Sequence, residues 1–440
     1  VDLEARIAPI NVNGTIANLQ TYNGYYPAPT IKVKKGDRLR VHFTNSLPFA
    51  GYNMHGHPRD ETNLHTHGLH VSPVGNADNV LQTFLSGQSF DYEYDLSWHP
   101  AGNLNWYHPH AHGNVAEQVW AGLAGALEVA DETPALSGYE THILVLKDIS
   151  LSNGAPAPHS DADFMNGKEG DIIMINGQVN PVLTLRPGQV QRWRIVNASN
   201  ARFYKLSLAN HNLHVIGTDG GLLDKPYAQS SVLLSPGERA DILVKASTSK
   251  GYYKLKALPY NRGAGVSANQ EITLLTAQVT GSALSQSLPI SVDPNAVRLA
   301  VPAGAPTRQL TLSMGMMDGG MMGGTMTATI NGIAYSDSSA FTLSSSLNGY
   351  EVWEIYNQSS MDHPFHQHVN PAQVISISGG DSTYRNLLTT TPAWKDTVIV
   401  PAMGSVKLLV PVKDFAGTTV FHCHILEHED LGMMGVWEIR

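Results

Sequence analysis

The sequence predicts an all-β protein made of three consecutive β-sandwich domains, and three observations carry that expectation. The chain has 440 residues, which is room for about three domains of roughly 150 residues each. Short runs rich in Val, Ile, Thr and aromatics alternate apolar with polar residues and are separated by Gly, Pro, Asn and Ser clusters, the period and punctuation of strands. One segment recurs: Leu39 to Asn45, Trp193 to Asn197 and Trp353 to Asn357 each set apolar residues two and four positions before an Asn, on one strand face. Two of the copies are preceded by Ile-Asn-Gly, at Ile175 and Ile330, and the three Asn are 152 and 160 residues apart, a domain-sized repeat.

Boundaries follow from turn-rich composition around Asp131 to Gly138 and from a Pro-, Ala- and Ser-rich stretch between Ala277 and Gln309. Domains are therefore expected at 1–135, 136–285 and 286–440. Each length suits a sandwich of seven or eight strands, whose order the sequence does not fix.

Composition narrows the function. Apolar residues make up 42% and charged residues 15%, ample for packed cores. With 28 basic against 37 acidic residues the chain has no basic field to gather nucleic acid or anionic lipid, so neither is an expected partner. The longest apolar run, near Trp120 to Leu127, is far short of the roughly 18 residues that span a bilayer. A single Cys forms no intramolecular disulfide. The chain opens at Val1 without a basic-apolar leader, so a removed targeting segment and a periplasmic or extracellular location are expected. Oligomeric state is not legible.

The 20 histidines form six His-X-His triplets, where random placement gives about one. On a strand, residues i and i+2 share a face, so each triplet presents two imidazoles to one metal cluster. Four triplets are candidates: His65/His67 in LHTHG, His108/His110 in WYHPHAHG, His366/His368 in HPFHQH and His422/His424 in FHCHILEH. All four lie in domains 1 and 3, and domain 2 reads as a spacer. His55, His57 and His112 read as ordinary solvated or core histidines.

Cys423 stands between His422 and His424, so on a strand its thiolate faces away from both and belongs to a second site. His363, His428 and Met433 are available to it. Cys, two His and a weak axial Met form the ligand set of a blue-copper centre. An inert buried thiol or a nucleophilic Cys leaves the flanking histidines unexplained.

On these four motifs, and over its whole length, the chain resembles the three-domain multicopper oxidases, laccases and bacterial cuprous oxidases among them. The resemblance implies cupredoxin-like Greek-key sandwiches and four coppers. Type 1 copper would take Cys423, His363 and His428 with Met433 axial, and type 2 would take His65 and His366. The type 3 pair would take His67, His108, His110, His368, His422 and His424, closing a trinuclear cluster between domains 1 and 3. It further implies one-electron oxidation of phenolic or aromatic substrates coupled to reduction of dioxygen to water, with Asp78 and Glu429 as proton donors.

Two departures remove no ligand: Thr66 stands where many relatives carry Trp, and Val369-Asn370 follow the HPFHQH triplet. An axial thioether argues for modest oxidising power. The Gly-dense segment holding Met314, Met316, Met317, Met321, Met322 and Met326 argues against a helix. It would be a flexible connection or a Cu(I) recruitment site, which makes cuprous oxidation the alternative activity. An electron-transfer cupredoxin would leave eight paired histidines without use, and copper nitrite reductases typically have two domains and no such set of four triplets.

Overall fold

Each domain is tied together by the recurring asparagine. Asn45 Nδ2 donates to Asp60 O (2.7 Å) and Phe84 O (2.9 Å) while its Oδ1 accepts from Leu47 N. Asn197 does the same with Arg202 O, Leu234 O and Ser199 N, and Asn357 with Met361 O, Val400 O and Ser359 N. All three are buried, and only an amide side chain supplies two donors and an acceptor at such a strand end. The Ile-Asn-Gly copies are tight turns: Asn176 and Asn331 both have φ 52°, followed by Gly177 at 77° and Gly332 at 76°, the left-handed pair that Asn-Gly adopts readily.

The structure is a computed structural model that describes residues 1–265, 268, 270–317 and 325–440. Strands of the three domains span residues 2–129, 140–279 and 307–439. Each domain is a two-sheet sandwich. Domain 1 stacks a sheet ordered Thr15–Tyr22, Asp2–Val12, Arg38–Asn45, Ser89–Asp95 with one ordered Ala28–Val33, Gly125–Val129, Leu104–His108, His65–His67. Domains 2 and 3 each pair a six-stranded with a five-stranded sheet. A parallel pairing recurs beside the Asn strand: Asp2–Val12 with Arg38–Asn45, Glu140–Ile149 with Val190–Asn197, and Thr307–Met317 with Gly349–Asn357. Such pairings require crossovers between the sheets, the mark of a Greek-key sandwich. Trp193 and Trp353, whose alternation announced the strands, are fully buried between the sheets.

Helices are few and short, and none is long and apolar enough to cross a membrane among the described residues. The methionine segment differs from the expected loop. Its arms are paired strands, Thr307–Met317 and Thr325–Ile330, with Met316 opposite Met326. Met314 packs against the domain 3 core because backbone pairing carries strand alternation into the segment. Met321 and Met322 lie outside the described residues.

Candidate metal centre

Strand pairing sets the histidines side by side. His65–His67 runs antiparallel to Leu104–His108 with His65 opposite His108, and His363–Gln367 runs antiparallel to Gly417–Cys423 with His366 opposite His422. The two pairs meet across the boundary of domains 1 and 3. His65 stacks on His368 at 4.1 Å and His67 on His366 at 3.8 Å between ring centroids. His422 Nε2 lies 3.1 Å from His110 Nε2 and 3.2 Å from His368 Nε2, and His424 Nε2 lies 3.2 Å from His67 Nδ1. All eight are buried.

These rings are arranged for a cation. Outward nitrogens are bonded: His65 Nδ1 donates to Asp78 Oδ2 (2.9 Å), His108 Nδ1 to Pro109 O, His366 Nδ1 to Asp396 O and His422 Nδ1 to Cys423 O. The opposite Nε2 atoms of His65, His108 and His366 are buried with no hydrogen-bond partner, while His368 and His424 turn Nε2 toward neighbouring rings and keep Nδ1 buried and unpartnered. Burial, with help from neighbouring rings, holds His110 down to about 3, and burial holds His422 down to about 4. Neutral imidazoles whose bare lone pairs converge repel one another unless a metal ion lies between them. Ligand atoms of His65, His366 and His368, of His65, His67 and His108, and of His110, His368 and His422 lie within 4.8 Å of one another in each group. His65 is thus gathered with His366, as the resemblance implied, and also with rings assigned to the type 3 pair.

Cys423 points to the other side of its strand. Its Sγ lies 3.3 Å from His363 Nδ1 and 3.8 Å from His428 Nδ1, and those two nitrogens are 3.2 Å apart. His363 Nε2 donates to Ser359 Oγ (2.7 Å) and His428 Nε2 to Met165 O (3.1 Å), leaving both Nδ1 atoms bare. Met433 is fully buried, and its carbonyl accepts from Cys423 N at 3.0 Å. Burial pushes the Cys423 thiol well above its usual range, so a thiolate here requires a cation. Cys plus two imidazoles suits copper in both oxidation states.

Carboxylates surround the histidines. Asp78 accepts from His65, from Thr66 N (2.9 Å) and from Thr66 Oγ1 (3.0 Å), so the departure at Thr66 supplies a hydroxyl to this carboxyl. Burial pushes Asp78 up to about 6 and Glu429 up to about 7. Glu429 lies 3.1 Å from His422 Nδ1 and 3.5 Å from His110 Nε2. His57 pairs with Asp337 (2.9 Å) and His55 with Asp430 O (2.7 Å), outside the clusters.

Three residues were not anticipated. Asp396 contacts His67 Nε2 (3.1 Å) and His366 Nδ1 (3.5 Å), and Arg239 of domain 2 grips both its oxygens. Against burial, Arg239 and then His67 hold Asp396 well below the usual carboxylate range. Met165, also of domain 2, covers His428. Domain 2 contributes to no metal-ligand group among the described residues, yet it touches both sites. Nothing local in the sequence signals these contacts, because each joins different domains.

Three sandwiches carrying a site of one cysteine and two histidines, one residue away from a cluster of eight histidines, define a copper-dependent oxidoreductase. Three family profiles, each described as multicopper oxidase, match residues 5–134, 137–282 and 304–440. The chain is 30% identical over 430 residues to "Multicopper oxidase mco" of Staphylococcus haemolyticus, covering 95% of this chain and 83% of that one. It is 27% identical to a Bacillus subtilis protein named laccase, covering 95% and 89%. Among solved structures, "Multicopper oxidase from Campylobacter jejuni: a metallo-oxidase" superposes with a TM-score of 0.84 at 31% identity, over 100% of this chain and 91% of that one. The chain belongs to the multicopper oxidase family.

Proposed function

We propose that the chain couples one-electron oxidation of a reductant to reduction of dioxygen to two waters: Cys423, His363, His428 and Met433 would hold a type 1 copper that supplies the electron transfer, and the eight paired histidines would hold a trinuclear copper cluster that supplies the oxygen chemistry. The observation that carries this reading is the alternation at 422–424. Cys423 faces one site while His422 and His424 face the other, so the two sites are joined through adjacent residues of one strand. Asp78 and Glu429 are the proton-holding groups. Burial keeps each protonated near neutrality better than an ordinary carboxyl, and each touches a histidine of the cluster.

Two donor classes fit. Phenolic or aromatic reductants are the laccase reading, supported by the name of the Bacillus relative. Cuprous ion is the second, supported by the Met-rich segment and by the Campylobacter protein's description as a metallo-oxidase. A periplasmic or extracellular location belongs to the same proposal. The test is copper content with oxygen uptake: about four ions per chain and about four donor electrons per dioxygen, without peroxide, are expected from these ligand sets. One or two ions per chain and no oxygen uptake would overturn it in favour of an electron-transfer protein or nitrite reductase.

A further inference from the structure

His428 turns Nδ1 toward Cys423 and its other nitrogen toward domain 2. That Nε2–H donates to the carbonyl of Met165 at 3.1 Å, and the imidazole is fully buried. The carbonyl belongs to a strap, residues 157–168, laid over the site and containing the helix Asp161–Asn166, none of whose side chains is buried. Phe164 alone packs against the neighbouring hydrophobic core, so the strap is a surface cover anchored by that one side chain.

It is pinned along its length. Trp120 Nε1 donates to Ala157 O (2.9 Å), and His159 Nε2 pairs with Glu427 Oε1 (2.9 Å). Ser160 and Asp163 form a reciprocal cap on the helix. Lys168 Nζ donates to Pro158 O (2.9 Å) and Asp163 Oδ2 (2.7 Å) and lies 5.0 Å from the centre of the Trp120 ring. Arg262 Nη2 holds Asn166 O at 2.7 Å. At Gly167, φ 76°, a Cβ would stand 2.5 Å from Ala201 Cβ and 2.9 Å from Ile425 Cγ2, so the chain leaves the helix pressed onto the side chains of two buried residues. Met165 itself is 37% exposed. The residue whose carbonyl meets the outward nitrogen of His428 thus also reaches solvent.

We infer that the strap 157–168 is the donor-specificity element of this oxidase. Pinned as it is, it keeps phenols from hydrogen-bonding His428 and favours small one-electron donors that react across the Met165 peptide, cuprous ion being the class that fits. The inference rests on the reading of His428 as a type 1 ligand. Four donors each lose one electron, four protons enter and one dioxygen leaves as two waters. Cuprous ion departs as cupric ion, whereas a phenol would depart as a phenoxyl radical and a proton.

Two arms test it. In the copper-free protein, acylation of His428 by diethyl pyrocarbonate, located by peptide mass mapping, should be at least about tenfold slower than that of exposed His42, because Nε2 is covered. The double variant Asp163→Ala, Lys168→Ala should raise His428 acylation. In the copper-loaded enzyme it should raise kcat/KM for a dimethoxyphenol about tenfold while changing that for Cu(I) less than about twofold. Equal acylation of His428 and His42 in the unaltered protein refutes the cover, and that arm needs no variant to fold. A variant with unchanged acylation, or with equal changes for both donors, refutes the role in specificity. If instead His428 is no type 1 ligand, the loaded protein oxidises neither donor, while the acylation arm still reports the strap.

Discussion

Replacing Arg239 by Met should loosen the junction of all three domains. Its guanidinium donates to Leu104 O of domain 1 (2.9 Å), to Asp219 O and Gly237 O of its own domain, and to Asp396 Oδ1 (2.7 Å) and Oδ2 (2.5 Å) of domain 3. Both members of the ion pair are buried, so Arg239→Met leaves the Asp396 charge without its main partner. Removing one side of such a pair costs about 3–5 kcal/mol. If a domain of about 150 residues unfolds as a unit, each kcal/mol lowers Tm by about 2–4 °C, for a fall of roughly 6–20 °C. Scanning calorimetry of the copper-free protein measures it. Arg239→Lys keeps the charge but not the two-pronged grip and should fall between. Adding Asp396→Asn to Arg239→Met should restore part of the loss, since the carboxylate that lost its main partner is then uncharged, while Asp219 keeps Lys395 at 2.8 Å. A Tm within about 1 °C of the unaltered protein, or strict additivity in the double variant, would refute the clamp.

Three shorter predictions rest on the same geometry. Cys423→Ser should abolish the blue absorption and oxygen uptake while circular dichroism stays native, and blue colour in that variant would overturn the type 1 assignment. Glu429 has a folded-state pKa raised to about 7, so between the ordinary carboxylate value and that point the folded chain holds a proton the unfolded chain has released. Stability of the copper-free protein should therefore fall as pH rises across this window, by on the order of 3 kcal/mol, and Glu429→Gln should flatten urea midpoints there, an unchanged slope counting against it. Asn357→Ala takes a donor from the carbonyls of Val400 and of Met361, the latter keeping Ser359 Oγ, and should cost about 1–3 kcal/mol by denaturant unfolding, whereas a loss under about 0.5 kcal/mol would show the tie is dispensable.

The all-β class and both histidine clusters were legible because they depend on period-2 alternation, a property that sequence spacing carries without knowledge of strand order. Cys423 is the clearest case: one residue's displacement from His422 and His424 separates two sites, and the structure puts its sulfur beside His363 and His428. The repeat asparagines were visible as a pattern, but the bond each makes to a carbonyl 39, 37 or 43 residues further on was not, since local spacing does not say which later segment returns to the strand end. Asp396, Arg239 and Met165 were illegible for a stronger reason. Each acts across a domain boundary, and neither period nor spacing encodes how three sandwiches sit on one another.

That boundary also explains why a domain that contributes to no metal-ligand group among the described residues belongs in the enzyme. The histidine cluster needs two domains to close it, so its precision depends on how domains 1 and 3 are held. Arg239 reaches both from domain 2, fixing Asp396 and through it His67 and His366. On the far side of Cys423, the same domain lays Met165 over His428. A change in domain 2 can thus loosen oxygen chemistry through the clamp or admit new donors through the strap, and the two effects should be separable because Arg239 and Lys168 share no partner.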